Sequence, residues 1–436
     1  MSFDKTIPLN EYITLQRGFD LPKKDRADGV VPVVASTGIG GYHNKAKVKA
    51  PGVVIGRSGS IGGGQYITED FWPLNTTLWV KDFKNHHPRY VYYLLRSIDF
   101  THFNVGSGVP TLNRNHLSSI LVADIGYKNE ERIAKIIGDL DDKIKLNTQT
   151  NQTLEQIAQA IFKSWFVDFE PVKAKMAVLE AGGTAEQAEL AAMSVISGKD
   201  EATLKQLQAE HPDRYQELAE TAALFPSAMV ESELGEIPAG WSQGALSDIA
   251  SFAVDRIPVS KITIENYIST ENMLENKRGI GVAATLPSSK TVPLFERGHI
   301  LVSNIRPYFK KIWFARFDGG RSPDVLGFVS NDSGSQEFLY NFLYQDKFFD
   351  FMMTTSKGAK MPRGDKDAIM EYKIVLPPQL IQRTYSSLVR SFYEEIESLC
   401  IENKFLGNIR DTLLPKLLSG EIDLIQLQAA AEQEGK

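Results

Sequence analysis

The sequence predicts an α+β chain. Two mixed α/β globules, built mostly of short strands, are separated by two long antiparallel, coiled-coil-like helices, and a pseudo-twofold internal repeat relates the halves. Three observations lead there. Residues 110–166 match residues 362–418 without gaps at a constant offset of 252. The matched stretches carry apolar residues at helical spacing. The regions before them are rich in Gly, β-branched and aromatic residues, in short runs punctuated by turns.

The first globule, residues 1–126, offers Val30–Ala35, Val53–Ile55 and Thr76–Val80 as strands, and Pro88–Leu95 as a short helix near its end. The second, residues 236–377, offers His299–Ser303 and Lys311–Ala315 as strands and Gln336–Leu343 as the corresponding helix. Pro51–Ile55 matches Arg297–Leu301, so the offset drifts within the globules.

The first long helix occupies 127–171. Ile133, Ile136, Ile137, Leu140, Ile144, Leu154, Ile157 and Ile161 follow the three-and-four spacing of an amphipathic helix. From Asn129 to Phe166 it would form a rod of roughly 57 Å. The second, within 378–422, repeats the pattern from Leu380 to Leu418, with Pro415 expected to kink it or end it early. Such rods pack along their apolar stripes; two ordinary core helices of separate domains are the alternative. Between helix and second globule, residues 172–235 read as short, exposed, acidic helices broken at Gly182-Gly183, Gly198 and Pro212, either a docking surface or a solvated connector. A tail, residues 423–436, follows the second helix.

Composition narrows the function. Among 436 residues, with 42% apolar content, no run of 18 apolar residues suggests a membrane span, and Met1–Lys5 do not open a signal peptide. The single cysteine, Cys400, excludes an internal disulfide and a cysteine-based zinc site. A cytoplasmic protein is expected. The net charge of −6 is uneven: +4 over residues 1–126, −8 over 127–235, +1 over 236–375 and −3 over 376–436. The acid lies in the helical segments, which permits basic patches on the globules.

Catalytic signatures are missing. Gly56–Gly64 lacks the Gly-Lys-Ser/Thr ending of a phosphate loop, and Ser60 stands where a nucleophile elbow needs glycine. His86-His87, His43, His102 and His116 have no metal-ligand spacing. No Asn/Asp-Pro-Pro-aromatic motif, Gly-rich AdoMet loop or Asp…Glu-x-Lys nuclease constellation stands out. No catalytic or metal-binding residue is expected.

DNA-binding candidates cluster in loops. The first globule offers Lys45, Lys47, Arg57, Ser58 and Ser60, then Ser107, Thr111, Asn113, Arg114 and His116 in a flexible run dense in donors. The second offers Ser303, Asn304, Arg306, Lys310 and Lys311, then Ser356, Lys357, Lys360 and Arg363. Lys and Arg bind phosphates or guanine edges, Asn reads adenine, and Gly allows close backbone approach. Each loop alone reads more readily as a solvated turn than as a DNA contact; two at equivalent places in a repeat strengthen the DNA-binding reading.

The helix ends resemble a known family. Ile161-Phe162-Lys163-Ser164-Trp165-Phe166-Val167-Asp168-Phe169-Glu170-Pro171-Val172 is similar to the end of the central helical region in specificity subunits of Type I restriction–modification systems. Leu413-Leu414-Pro415-Lys416-Leu417-Leu418-Ser419-Gly420-Glu421-Ile422 resembles their C-terminal signature, and Gly235–Trp241 the start of their target-recognition domains. The resemblance covers nearly the whole chain. Two departures stand out. The first globule starts at Ile7-Pro8-Leu9 without Pro-x-Gly-Trp, and Ala359-Lys360 make the second loop differ from Gly108-Val109.

The resemblance implies a non-catalytic subunit whose two target-recognition domains each read half of a split double-stranded DNA site, with the helices as a ruler. It implies two modification (methyltransferase) subunits docked on the helices, carrying AdoMet and adenine methylation. Restriction motor-nuclease subunits would use ATP and Mg, and no cofactor would reside in this chain. Ile144, Leu154, Ile161, Phe162, Trp165, Phe166, Ile396, Leu406, Leu413 and Leu417 are the expected partner-binding helix residues. Alternatives are a specificity subunit serving a single fused nuclease–methyltransferase partner, and a helical adaptor that does not bind DNA.

Overall fold

The computed structural model describes residues 5–104, 108–358 and 361–422. By contacts it divides into two units, residues 1–149 with 399–436, and residues 150–398. The units cut across the linear segments read from the sequence, because each takes part of both long helices.

Unit 1 opens with β1 (Thr6–Pro8), α1 (Leu9–Tyr12), β2 (Thr14–Arg17), β3 (Val31–Ala35), β4 (Gly38–His43), β5 (Gly52–Gly56), β6 (Gly62–Ile67), β7 (Trp72–Pro73) and β8 (Thr77–Asp82). Helix α2 (Pro88–Ser97), α3 (Arg114–Leu117) and β9 (Leu121–Ala123) lead into α4 (Tyr127–Phe166). Strands β2-β8-β5-β6 form one antiparallel sheet, β4-β3-β7 a second, and β1 pairs with β9. Val53 and Ile55 alternate inward from β5 to meet Tyr90, Val91 and Leu94 of α2, which starts at Pro88 with a His87 cap. The same core takes Ile133 and Ile137 from α4 and Leu417 from the chain's other end.

Unit 2 begins within α4. Next come α5 (Glu170–Glu180), α6 (Ala185–Ser197), α7 (Glu201–Glu210) and α8 (Pro212–Ala223), broken at the glycines and proline the sequence marks. They are more than a solvated connector. Ala192, Met193, Leu204 and Ala222 form their own small core. Buried Lys175 donates to Glu189 (2.7 Å) and to the Phe225 carbonyl (2.8 Å). The chain continues through β10 (Met229–Val230), β11 (Ile237–Pro238), β12 (Ser242–Ala245), α9 (Leu246–Ile249), β13 (Ala250–Phe252), β14 (Arg256–Pro258), β15 (Tyr267–Ile268), β16 (Thr291–Phe295), β17 (Ile300–Ser303), β18 (Ile312–Phe314), β19 (Gly319–Arg321) and β20 (Val325–Ser330). Then α10 (Gln336–Leu343), α11 (Asp346–Thr354), α12 (Lys366–Met370) and β21 (Lys373–Leu376) precede α13 (Gln379–Ser419).

The repeat is structural as well as sequential. Sheet β13-β20-β17-β18 reproduces β2-β8-β5-β6, and β12 pairs with β21 as β1 does with β9. Strand pairing sets Gly56 level with Ser303, opposite Thr77 and Val325, one residue away from the match of Gly52 with Gly298. Helix α13 starts 252 residues after α4, as the ungapped repeat requires. It also runs through Pro415 to Ser419, where a kink or early stop was expected. Pro415 removes one N–H, which would have bonded the carbonyl of exposed Asp411, and buried Leu417 anchors the turn beyond it.

In unit 1 the helix segments run antiparallel. Asp141 meets Arg410 (2.8 Å), and Asn147, itself buried, donates to Glu402 (2.7 Å) and Asn403 (3.0 Å). A buried asparagine between helices fixes register at some expense of stability. In unit 2 the pairing is aromatic. Phe162, Trp165 and Phe166 pack with Phe338 and Tyr385, whose hydroxyl donates to the Ala158 carbonyl at 2.9 Å.

Candidate nucleic-acid interface

In each unit the structure joins two loops that are far apart in sequence. The loop leaving β5 bridges Ser58 to Thr111. Gly59 N–H donates to the Pro110 carbonyl (3.0 Å) and Leu112 N–H to the Arg57 carbonyl (2.8 Å). In unit 2, Ile305 bridges Arg363, Arg306 N–H donates to the Pro362 carbonyl (2.9 Å), and Gly364 N–H to the Asn304 carbonyl (3.3 Å). The same two bonds therefore close the same pair of loops twice. The second loop in each case leads into a short capped helix. Asn113 accepts from Asn115 N–H (3.0 Å) to start α3, and Asp365 accepts from Asp367 N–H (3.1 Å) to start α12.

Around the unit 1 bridge, Ser58 and Thr111 are half-buried, and Ser60, Arg114 and His116 are exposed. Asn113 is exposed but already engaged as the helix cap. Arg57 is half-buried and donates to the Asn75 carbonyl (3.3 Å). Lys45 and Lys47 are exposed on the segment that bridges at Val48 to Phe71, with Lys47 Nζ over the Trp72 ring at 5.2 Å. Ser107 lies outside the described residues.

Unit 2 requires corrections. Ser303 and Asn304 are buried, so neither offers an edge to a ligand. Asn304 instead ties the loops, donating from Nδ2 to the Gly364 carbonyl at 3.1 Å. Several predicted cations already hold acids. Lys310 and Lys277 share Asp346 (3.0 and 2.6 Å), whose carboxyl is held below its usual range chiefly by the Lys277 bond. Lys357 pairs with Asp365 (2.5 Å) and Arg363 with Asp324 (3.1 Å), both cations remaining exposed. Lys311 donates to the Thr270 carbonyl (2.8 Å), and Ser356 Oγ to that of Met353 (2.8 Å). Lys360 lies outside the described residues. Lys277, Asp324 and Asp346 were not foreseen. The Asn276-Lys277-Arg278-Gly279 turn, with Asn276 and Lys277 at positive φ, carries the only local sign, its asparagine and glycine.

The expected partner-binding residues divide. Phe162, Trp165, Phe166 and Ile396 belong to the core of unit 2 and Leu417 to that of unit 1, so they do not meet a partner surface. Their apolar bulk closes the chain's own helix pairs. Ile144, Leu154, Ile161, Leu406 and Leu413 are half-buried. The apolar side chains left exposed on the helices are others, among them Leu146, Ile401 and Phe405 in unit 1, each more than half exposed.

The fold also gathers residues whose sequence spacing gave no metal signature. The donor atoms of His86, Asp124 and Glu130 lie within 4.8 Å of one another. Buried Glu130 accepts from the Tyr12 hydroxyl, from His86 Nδ1 and from His87 N–H (2.8 Å). These three hydrogen bonds satisfy its buried oxygens, and the group clamps α1 and the start of α2 to α4. No described helix is long and apolar enough to cross a membrane.

Comparison with known proteins agrees with this geometry. Residues 5–156 match the family model described as Type I restriction modification DNA specificity domain. The chain is 36% identical over 361 residues to the Type I restriction enzyme HindI specificity subunit of Haemophilus influenzae, covering 77% of each. It is 22% identical to the MjaIX specificity subunit of Methanocaldococcus jannaschii, over 78% of this chain and 70% of that one. The crystal structure of a Type-I restriction-modification system S subunit from M. genitalium aligns over 95% of both chains, with a TM-score of 0.51 at 14% identity, a likeness of fold.

Proposed function

Because the chain belongs to the specificity subunits of Type I restriction–modification enzymes, we propose that its two units each recognise one half of a divided double-stranded DNA site through the bridged loops. The observation that carries this reading is the paired bridge, Ser58 with Thr111 and Ile305 with Arg363. A repeat that preserves two backbone bonds between the same loops, while exchanging nearly every side chain on them, suits two halves that present different letters from one scaffold.

The chemistry then belongs to other chains. Two modification subunits would supply AdoMet and adenine methylation, docking on the exposed helix residues Leu146, Ile401 and Phe405 in place of the buried aromatics. Motor-nuclease subunits would supply ATP- and Mg-dependent cleavage. Exposed cations such as Lys45, Arg114 and Lys357 would meet phosphates, which makes binding salt-dependent.

The test is a genome-wide methylation map of cells expressing this chain with its adjacent modification subunit, against cells lacking this chain. The reading expects a split motif that appears only with this chain. A soluble complex that methylates no new motif, or a single undivided one, contradicts it.

A further inference from the structure

We infer that Arg306 is the specificity-determining residue of unit 2 and that it reads a guanine in the half-site of that unit. This rests on the proposed role of the bridged loops and adds to it the chemistry of one base.

Arg306 differs from six cations of the same unit. Lys277 and Lys310 hold Asp346, Lys357 holds Asp365, Arg363 holds Asp324, and Lys311 and Arg278 donate to carbonyls. Among the described residues the Arg306 guanidinium has no hydrogen bond or ion pair; its Nε is buried without a partner. The side chain is only half-buried, so its terminal nitrogens are the part that solvent reaches. Two parallel donors on a planar fork match the O6 and N7 acceptors that guanine presents in the major groove.

Its backbone is held as well. Arg306 has φ 49° and ψ 64°, a left-handed conformation that side chains other than Gly, Asn and Asp seldom adopt. The bond from its N–H to the Pro362 carbonyl holds it there. At the equivalent place unit 1 has Gly59, with φ 84°. The backbone therefore asks for glycine, unit 1 supplies it, and unit 2 carries arginine against that preference. Recognition of two different half-sites asks for different residues at equivalent places of the two units. A residue found in one unit only suits a task that differs between the units, which is base identity. Rigid placement suits a contact to one base pair, which has to be met at one position along the groove.

The experiment uses the full chain with its modification subunit and maps methylated motifs for the parent and for Arg306→Gly, which suits the left-handed backbone and removes only the fork. Expected is a G·C pair in one half-site of the parent motif. In the variant, preference for guanine at that pair falls about 10- to 100-fold, and every other position is kept. An unchanged motif overturns the inference, as does relaxation at an A·T pair. Uniform loss of methylation at all motif sites, with a shallower salt dependence of binding to a parent-motif duplex, would make Arg306 a phosphate contact and also overturns it. A melting curve on Arg306→Gly separates misfolding, and Arg306→Lys provides a second variant, expected to keep a weaker guanine preference at the same pair. If the parent chain directs no motif at all, the reading of the loops has failed before Arg306 is at issue.

Discussion

Replacing Glu155 by Gln should make unit 2 more stable at neutral and alkaline pH and leave it nearly unchanged below pH 4.5. Glu155 projects from α4 into the aromatic helix junction. Tyr393 Oη lies 3.4 Å from its Oε1, and Gln159, Tyr340 and Arg316 are also within reach. Burial pushes its carboxyl up to about 7 from 4.5, and these neighbours only partly oppose the shift. The sign follows from linkage. Below pH 4.5 the group is protonated in both folded and unfolded chains and is neutral in its effect. Between pH 4.5 and about 7 the unfolded chain ionises while the native state keeps the proton, so stability falls across that window; above 7 the native state carries a buried carboxylate and the loss levels off. Carrying that carboxylate in the native state costs on the order of 3 kcal/mol. Gln keeps the shape and accepts the same hydroxyl donors without a charge, so the loss should disappear. Hydrogen exchange of residues 150–166 and 379–398 between pH 5 and 8.5 isolates unit 2. Protection in the parent should fall between pH 5 and about 7 and then level off, while the variant stays flat. A variant that follows the parent's curve, or is less protected at pH 8, refutes the reasoning.

Tyr385→Phe removes one buried hydrogen bond, to Ala158, and should lower stability by about 1 kcal/mol in denaturant titration. Trp165→Ala empties part of the same junction and should cost about 3–5 kcal/mol. Arg383→Ala removes a two-bond pair with Asp332, both contacts 2.8 Å, which holds that carboxyl far below its usual range. The pair stabilises above pH 3.8 and its effect fades as pH falls through the depressed value, so parent and variant melting curves should converge in strong acid and diverge near neutrality. Removing about one helical turn (four residues) near Asn147 should change the methylated motif's spacer or abolish methylation; altered half-sites would contradict a ruler role for the helices.

Much of this was legible in advance where a physical signal is local and periodic. The long helices announced themselves through apolar residues at 133, 136, 137, 140 and 144, and the offset of 252 placed the second from the first. Glycine and proline marked the breaks between α5 and α8 correctly. What the sequence concealed was burial. Trp165 and Phe166 look the same whether they meet another protein or their own core, and only the fold shows them enclosed. Asn304 and Ser303 read as polar loop residues, yet their environment is the inside of the loop bridge. The bridges join Ser58 to Thr111 and Ile305 to Arg363, separations that no local pattern spans. The cation partners were hidden for the same reason, since Asp346 is remote in sequence from Lys277.

Unit 2 is one continuous stretch, residues 150–398, whereas unit 1 is assembled from the first 149 residues and the last 38. A ribosome therefore releases everything unit 2 needs while unit 1 still lacks its closing helix. Until Leu417 emerges, the groove beside Leu9, Ile133 and Ile137 has no lid of its own. The first globule to be made is thus the last to be finished, and a chain stopped before Arg410 would show its defect some 270 residues upstream of the missing segment, at Asp141. Nascent unit 1 is left with an apolar seam through most of synthesis, the interval in which such seams bind chaperones or each other.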